Sequence, residues 1–469
     1  MRRHRTKFRS GVRQNREEGV IITLVAMCMV GFIAAMAAFS IDAVSLYTAR
    51  SEAQLAADAA ALAGARVLAN SGMTSYSSAT LGANAKPLAI AVATQVAANN
   101  PVGGRNLVPS GVSPCTGQEI CVTIDTASSK FVANPQVVVT VQRTDLPVFF
   151  SRIWGRTAFT VKASATAEAY NPSSLQGTAA GPGLPVAPMC VKPWLLPNID
   201  PSNPPNPIFD PASGAVAATT TGLLGWVTPA GAGATRLRTK CSPASVPGTA
   251  DCLPVGSNLP VAWQYYPGTT DAATGSFPAP SASSCTGCSG FTPYQLSIAG
   301  CVQTPISCNA QVNVDTSNYT TRDTETGAAV NALAHSTGGG GDSVDTTGGT
   351  TPPNGTTPFQ FLAGADNPLV LAGALSDEAS VMVSDSLVTV PVIDNTTPAV
   401  WANYPQVQII GFVQLFLSPT GAQTNFNGHV HTQVINLVGC GDGTGGVPAA
   451  PPAILGNGAS PVAVRLISQ

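Results

Sequence analysis

The clearest change in the pattern of hydrophobic and polar positions lies near the N-terminus of the chain. Residues 1–19 carry seven Lys or Arg side chains and two glutamates, and an uncharged apolar run then extends over residues 20–41. As a helix rising about 1.5 Å per residue, this run is about 33 Å long, which is enough to cross a bilayer. The pattern therefore predicts a cytoplasmic basic tail at 1–19, a transmembrane helix at 20–41 and the lipid bilayer as a partner.

The distribution of positive charge predicts the orientation of this helix. Seven basic residues precede it, whereas Arg50 is the first one that follows it. The positive-inside rule then keeps the N-terminus in the cytoplasm and exports residues 42–469. The alternative is a cleaved signal peptide, because Ala35-Met36-Ala37 has the small-x-small form of a cleavage site. The apolar run exceeds the usual signal-peptide core of about 7–15 residues, which favours an anchor.

An alanine-rich pattern predicts that the same helix continues as a stalk to about residue 70. Alanine is the best helix former, and Gly64 is the first Gly or Pro after the apolar run. Leu55, Ala59 and Leu62 have helical spacing and form a narrow apolar stripe. We expect this stripe to pack against partner helices or against the module that follows, since small residues let helices approach closely.

The segment after the stalk has a helical pattern and then alternating apolar and polar positions, which together predict a small α/β module ending at residue 170. A second alanine-rich helix is predicted from about Pro87 to Asn99. Three strands are predicted from their alternating apolar positions, at 120–125, 136–145 and 157–168. A short helix between the last two strands is expected to cap the sheet with Phe149, Phe150, Ile153 and Trp154.

The remaining chain predicts an irregular β-rich domain. Residues 171–187 have the Pro, Gly and Ser content of a linker, and the domain is expected at 188–469. Its best strands are predicted at 387–393, 407–417 and 429–438. The predicted class is α+β: a transmembrane helix that continues into an alanine-rich stalk, a module within residues 42–170, and a disulfide-stapled β domain.

Cysteine usage supports export. Ten of the eleven cysteines lie outside the predicted span, and an even number in an exported chain favours disulfides. Cys115 is expected to pair with Cys121 around a turn. The full set of predicted disulfide cysteines is Cys115, Cys121, Cys285, Cys288, Cys301 and Cys308. A four-thiolate zinc site is the alternative for the last four, and a thioredoxin-like motif is disfavoured because the expected strand and helix flanks are missing.

Charge and motif content argue against several classes of function. The exported part has more acidic than basic residues, so a nucleic-acid partner is not expected. Neither a nucleophile elbow nor a phosphate-binding glycine loop is present in the sequence. His429 and His431 are interpreted as part of a polar, solvent-facing strand, and Asp342, Asp345, Asp377 and Glu378 as surface groups. We predict no catalytic residue, cofactor, metal site or small-molecule substrate, and hence no enzyme.

The run from Gln54 to Ala65 (QLAADAAALAGA), after a basic tail and a membrane helix, resembles the TadG-like module of the tight-adherence (Flp) pilus-assembly systems of bacteria. The later valine-rich strand and the segment 147–155 (PVFFSRIWG) extend this resemblance over about residues 14–170. The motif residues are Gln54, Leu55, Ala56, Asp58, Ala59, Ala60, Leu62 and Gly64. The resemblance implies an accessory protein anchored in the inner membrane, with its C-terminal domain periplasmic or extracellular. It also implies partners among other pilus-assembly or pilin-like membrane proteins.

Two departures from related proteins refine this expectation. Pilin-like relatives are cut after a Gly that is followed five residues later by Glu, whereas Leu24 holds that position after Gly19. The chain is therefore expected to keep its anchor rather than polymerise as a major pilin. The nearest match to a von Willebrand metal motif has Tyr319 in place of its last Ser, so that segment is interpreted as a turn. Two other functions are alternatives to a pilus-assembly accessory: an anchored adhesin or ligand-binding β domain and, less favoured, a secreted hydrolase.

Overall fold

The computed structural model describes residues 17–75, 79–109, 117–125, 134–170, 186–203, 206–210, 214, 216–217, 223–224, 238–239, 264–270, 275–281, 285, 287–315, 319–335, 340–344, 361–381, 384–394, 405–418, 430–440, 454–455 and 460–468. Its helices are α1 Glu17–Ala69, α2 Ala79–Asn99, α3 Pro293–Ala299, α4 Tyr319–Leu333 and α5 Pro368–Leu371. A 3₁₀ helix spans Ser151–Trp154.

The strands of the described residues belong to four sheets. They are β1 Ile120–Asp125, β2 Gln136–Leu146, β3 Phe159–Tyr170, β4 Val186–Ala187, β5 Trp194–Pro197, β6 Arg238–Thr239, β7 Gln264–Pro267, β8 Gln311–Asn313, β9 Ser343–Val344, β10 Phe361–Leu362, β11 Ser380–Val381, β12 Leu387–Ile393, β13 Gln406–Leu417, β14 Thr432–Gly439, β15 Ile454–Leu455 and β16 Ala463–Ser468. The mixture of helices and sheets confirms the predicted α+β class.

The N-terminal module is a four-stranded antiparallel sheet, in the order β1-β2-β3-β16, covered by α1 and α2. Alternate residues of β2 face inward as buried valines, and the facing positions of β3 are mostly buried alanines. Val139 pairs with Ala165 in this register. The small side chains of β3 leave room for a helix to lie close to the sheet.

The strand β16 comes from the far end of the chain and completes this sheet beside β3. Arg465 lies opposite Glu168, and its Nε donates to Oε1 of that buried carboxylate at 2.7 Å. Its guanidinium also stacks over the ring of Tyr170, 4.6 Å from the centroid. The division into domains at 42–170 and 188–469 stays a prediction. The pairing of β16 with β3 adds residues 463–468, from the second range, to the sheet of the N-terminal module.

The larger sheet has the order β14-β13-β12-β5-β7-β6, with β8 also paired to β13. All residues of β12 are buried, and β12 runs antiparallel to β13 and parallel to β5. Aromatic side chains fill the core on this sheet, among them Trp194, Tyr265 and Phe416. The strand prediction at 387–393 coincides with β12, and β13 begins one residue earlier than predicted.

Two predictions about the elements are wrong in informative ways. The second helix begins at Ala79, so Pro87 lies inside it instead of at its start. Proline has no backbone N–H to donate to the helix interior, and this is why the sequence pattern predicts a helix boundary at Pro87. The strand β14 is buried along its whole length, whereas a solvent-facing strand was expected. The end of α1 and the chain just beyond it contact this strand: the amide of Leu437 donates to Oγ of Ser75 at 3.0 Å, and Nδ2 of Asn436 donates to the carbonyl of Ala69.

The acidic residues expected at the surface behave differently from one another. Asp377 and Glu378 are exposed, in agreement with the prediction. Asp342 is buried, because its carboxylate accepts from Nδ2 of Asn367 and from the amide of Gly364, each at 2.9 Å. Asp345 lies outside the described residues, as does His429, whereas His431 is half-buried directly before β14.

Candidate membrane anchor and its packing surface

The helix α1 changes character along its length. Residues 20–34 are all exposed, although they are almost entirely apolar. Among the described residues, α1 is the helix long and apolar enough to cross a membrane. An uninterrupted exposed surface of this kind suits lipid contact rather than water. The predicted span at 20–41 therefore includes the stretch 20–34, which the other described residues leave uncovered.

A buried carboxylate marks the point where this exposed part ends. Asp42 is 2% exposed, and its oxygens accept from the backbone amides of Phe149 at 3.0 Å and Ser151 at 2.7 Å. The amide of Phe150 and the hydroxyl of Ser151 donate to the same carboxylate. The carboxylate thereby holds the segment before and within the 3₁₀ helix against α1.

Beyond Asp42, α1 packs through alanine. Its buried face includes four alanines spaced by four residues, here called the alanine face: Ala53, Ala57, Ala61 and Ala65. The helix α2 carries a matching series: Ala85, Ala89, Ala93 and Ala97. All eight side chains are completely buried. Residues four apart share a side of a helix, so two rows of methyl groups allow the helices to pack closely.

Gly64 lies at the closest approach in this packing. A Cβ atom built there would be 2.9 Å from Cγ1 of Val137, 3.2 Å from Cβ of Ala93 and 3.3 Å from the carbonyl oxygen of Ala89. These atoms belong to β2 and α2, so α1 contacts the sheet and the second helix together at this point. The glycine of the motif therefore serves close packing rather than a turn.

The other motif residues divide between packing and solvent. Ala56 and Ala60 are buried, whereas Ala59 and Leu62 are half-buried and Leu55 is 64% exposed. Leu55 of the predicted stripe therefore does not pack into the module, and packing of the stripe against partner helices stays a prediction. The sheet and α2 lie too near the helix axis for leucine, so the alanines face inward and Leu55 points outward.

One polar residue of the motif joins α1 to the sheet. Nε2 of Gln54 donates to Oδ1 of Asp58 at 2.8 Å and to the carbonyl of Ser164 in β3 at 3.3 Å. Nearby, Oε2 of Glu52 accepts from the amide of Gly103 at 2.6 Å. These contacts fix the rotation of α1 about its own axis and thus keep the alanine face inward.

Buried amides join the C-terminal end of α1 to the larger sheet. Nδ2 of Asn436 donates to the carbonyl of Ala69 at 2.7 Å and to Oε1 of Gln414 at 2.6 Å. Nε2 of Gln414 in turn donates to Oδ1 of Asn70 at 3.4 Å. Buried polar groups are costly unless paired, so this network specifies one arrangement of α1 on β13 and β14.

The predicted disulfide cysteines are placed as follows. Cys285 is bonded to Cys288, with Cα atoms 5.7 Å apart. Cys301 and Cys308 are bonded to Cys190 and Cys440, which lie far from them in sequence. Cys121 is disulfide-bonded, and Cys115 lies outside the described residues. The four cysteines of the alternative zinc site are thus divided among three disulfides.

Several charged groups of the described residues form ion pairs with one another. Asp315, in the segment compared with a metal motif, is buried and forms an ion pair with Arg322 at 2.6 Å. Arg143 and then Arg105 hold the pKa of Asp145 down to about 2. No group of three or more His, Cys, Asp or Glu side chains suited to a metal ion occurs within the described part of the chain.

Lys192 is the most perturbed base among the described residues. Its Nζ donates to the carbonyl of Gly300 at 2.7 Å, beside the Cys190–Cys301 disulfide. Burial lowers the pKa of this amine to about 7, and the charge of Asp385 opposes the shift. An amine enclosed in this way is a structural donor, since its hydrogen bond goes to the backbone of the same core.

These features define a class of protein: an α+β fold carried on one long helix, with an uncovered apolar half and an alanine-packed half. Residues 19–67, which lie entirely within α1, match the Tad family model, described as "Putative Flp pilus-assembly TadE/G-like". The match confirms the resemblance over this segment and supports a role related to pilus assembly. No curated protein and no solved structure matches the chain.

Proposed function

We propose that the protein is a structural accessory component of a Tad-type Flp pilus-assembly system. In this proposal one pass of α1 anchors it in the bacterial inner membrane, with the N-terminus cytoplasmic and the remaining chain periplasmic or extracellular. The observation that carries the proposal is the position of the family match, at 19–67, on the helix that joins the exposed apolar half to the alanine face. The protein then acts by packing and by a disulfide-fixed shape rather than by catalysis.

The continuity of α1 gives this role a physical basis. The helix runs without a break from Glu17 to Ala69, so the orientation of the anchor is passed directly to the module. The close packing at Gly64 and the amides around Asn436 then connect the module and the larger sheet to the same helix. Other pilus-assembly or pilin-like membrane proteins are the proposed partners.

Extraction and protease protection test the anchor. The full chain is expected to stay in the membrane pellet after alkaline carbonate treatment. Trypsin added to spheroplasts is expected to digest the exported part and to spare the basic tail. A mature protein whose N-terminus lies near Ala38 would contradict the anchor, because it would have lost the span.

Deletion and complementation in the host bacterium test the role in assembly. Deletion of the gene is expected to reduce the pilin recovered from the sheared cell surface, and the full chain is expected to restore it. A Gly64→Leu variant should fail to restore it, because the side chain has no room between β2 and α2. The matched Ser51→Leu variant changes an exposed position of the same helix and should restore it. Unchanged surface pilin in the deletion strain would refute the proposal.

A further inference from the structure

The segment 147–156, here called the membrane-proximal loop, exposes large apolar side chains where a soluble domain would bury them. Phe149 is 58% exposed and Ile153 is 76% exposed. These residues were expected to cap the sheet, and that expectation is wrong for both. The loop lies instead beside α1, held by the bonds from its amides to Asp42.

The position of the loop along α1 indicates what it contacts. Asp42 directly follows the predicted span, so the loop lies at the level where that span ends. Ala38 is buried and Ala35 is half-buried, although the other residues between 31 and 41 are exposed. Polypeptide therefore lies along the last two turns of the predicted span. The seven helical steps from Ala35 to Asp42 correspond to about 10 Å of depth.

The backbone of the loop is suited to surroundings without water. The amides of Phe149, Phe150 and Ser151 donate to Asp42. Those of Ile153, Gly155 and Arg156 donate to carbonyl oxygens within the loop: Phe150, Arg152 and Ser151, respectively. Irregular backbone tolerates lipid only where its polar groups are paired inside the protein. Six amides of this loop meet that condition without solvent.

The side chains around the loop complete the pattern of an interfacial segment. Arg152 and Arg156 are exposed on the loop beside its apolar residues. Tyr47 of α1, just past Asp42, is 80% exposed, and tyrosine is enriched where a span meets the headgroups. Guanidinium groups bind phosphate well, and apolar side chains at this level enter the acyl boundary to a depth of about 5–10 Å.

We propose that the membrane-proximal loop is a second membrane contact, in which Phe149 and Ile153 insert into the outer leaflet and the two arginines bind phospholipid phosphates. The occupant of this surface is therefore phospholipid. The inference rests on the proposed anchor, because the depth of the loop is set by the end of the span. Asp42 is the positioning residue that holds the loop at this depth.

Photo-crosslinking of the native full chain tests the proposal. The protein is placed in nanodiscs of phosphatidylethanolamine and phosphatidylglycerol that contain a phospholipid with a diazirine near the acyl boundary. Trypsin separates the span, the stalk and the loop, giving peptides 17–50, 51–66, 144–152 and 153–156. Lipid adducts are expected on the span peptide and on both loop peptides. None is expected on 51–66, since its exposed Leu55 lies about 20 Å beyond Asp42 along the helix.

The outcomes separate this inference from the anchor itself. Adducts on 17–50 without adducts on 144–156 would overturn the loop contact and leave the anchor intact. A span peptide without adducts would overturn both. Adducts on 51–66 as strong as those on the loop would also overturn the proposal, because they would show that labelling does not depend on depth in the bilayer.

Two variants check that the apolar side chain carries the contact. Ile153→Ser is expected to abolish adducts on 153–156 without changing those on 17–50. Ile153→Leu is expected to restore them, because it keeps the apolar volume. Equal labelling of the serine and leucine variants would count against insertion of this side chain.

Discussion

Replacing Gly64 with valine tests whether the close packing of α1 holds the module together. A Cβ atom at this position meets Cγ1 of Val137 at 2.9 Å and Cβ of Ala93 at 3.2 Å. Carbon atoms pack best at about 3.5–4.0 Å, so either the sheet or α2 must move to accept a side chain. Overpacking of this kind typically costs about 1–3 kcal/mol.

A second effect of the substitution acts in the opposite direction. Alanine is better than glycine in a helix interior by about 1 kcal/mol. For Gly64→Ala the two terms partly cancel, and we expect a net loss of unfolding free energy of up to about 2 kcal/mol. Gly64→Val adds two more methyl groups at the same contact and gains less helix propensity. Its expected loss is about 3 kcal/mol or more.

Pulse proteolysis of the full chain in nanodiscs, over a series of urea concentrations, measures these losses. Ser51→Val is the matched control, since it adds volume at an exposed position of α1 and since serine and valine have similar helix propensities. Its unfolding free energy should change by no more than about 0.5 kcal/mol. A Gly64→Val variant as stable as this control would refute the packing argument.

The disulfides and one buried lysine allow two further predictions. Removing the Cys308–Cys440 bridge by paired alanine substitutions should cost about 5 kcal/mol, against about 2 kcal/mol for Cys285–Cys288, because the bridged residues are 132 and 3 positions apart. Equal shifts of the two urea midpoints would contradict this. Burial lowers the pKa of Lys192 to about 7, so between pH 7 and 10 the unfolded chain holds a proton that the folded chain lacks. The unfolding free energy should therefore rise by about 3–4 kcal/mol between pH 7 and 10. If the Lys192→Met variant shows the same rise, the pH dependence comes from another group.

Local patterns were sufficient to predict the course of α1 but not its buried face. A long apolar run followed by alanine, with no proline, leaves little alternative to a continuous helix. The choice between Leu55 and the alanine face depends on how near the sheet lies, which the helix sequence does not encode. The small residues of β3, such as Ala165, hold that information more than one hundred positions away.

The features that sequence reasoning missed depend on contacts between distant residues. Asp42 is the first residue after the predicted span, and its partners lie near position 150. The one available signal was its location directly beside the apolar run, where an unpaired carboxylate is costly. Likewise, spacing could suggest the Cys285–Cys288 pair but could not assign Cys440 to Cys308.

The larger sheet is oriented by the anchor through direct contact. A domain joined to its anchor by a linker alone could turn freely, and residues 171–187 were predicted to be such a linker. However, the carbonyl of Ala69, at the end of α1, accepts from Asn436 of β14, and one apolar core contains both Ala69 and Val438. Because this hydrogen bond and this shared core fix the larger sheet relative to α1, movement of α1 moves the sheet with it.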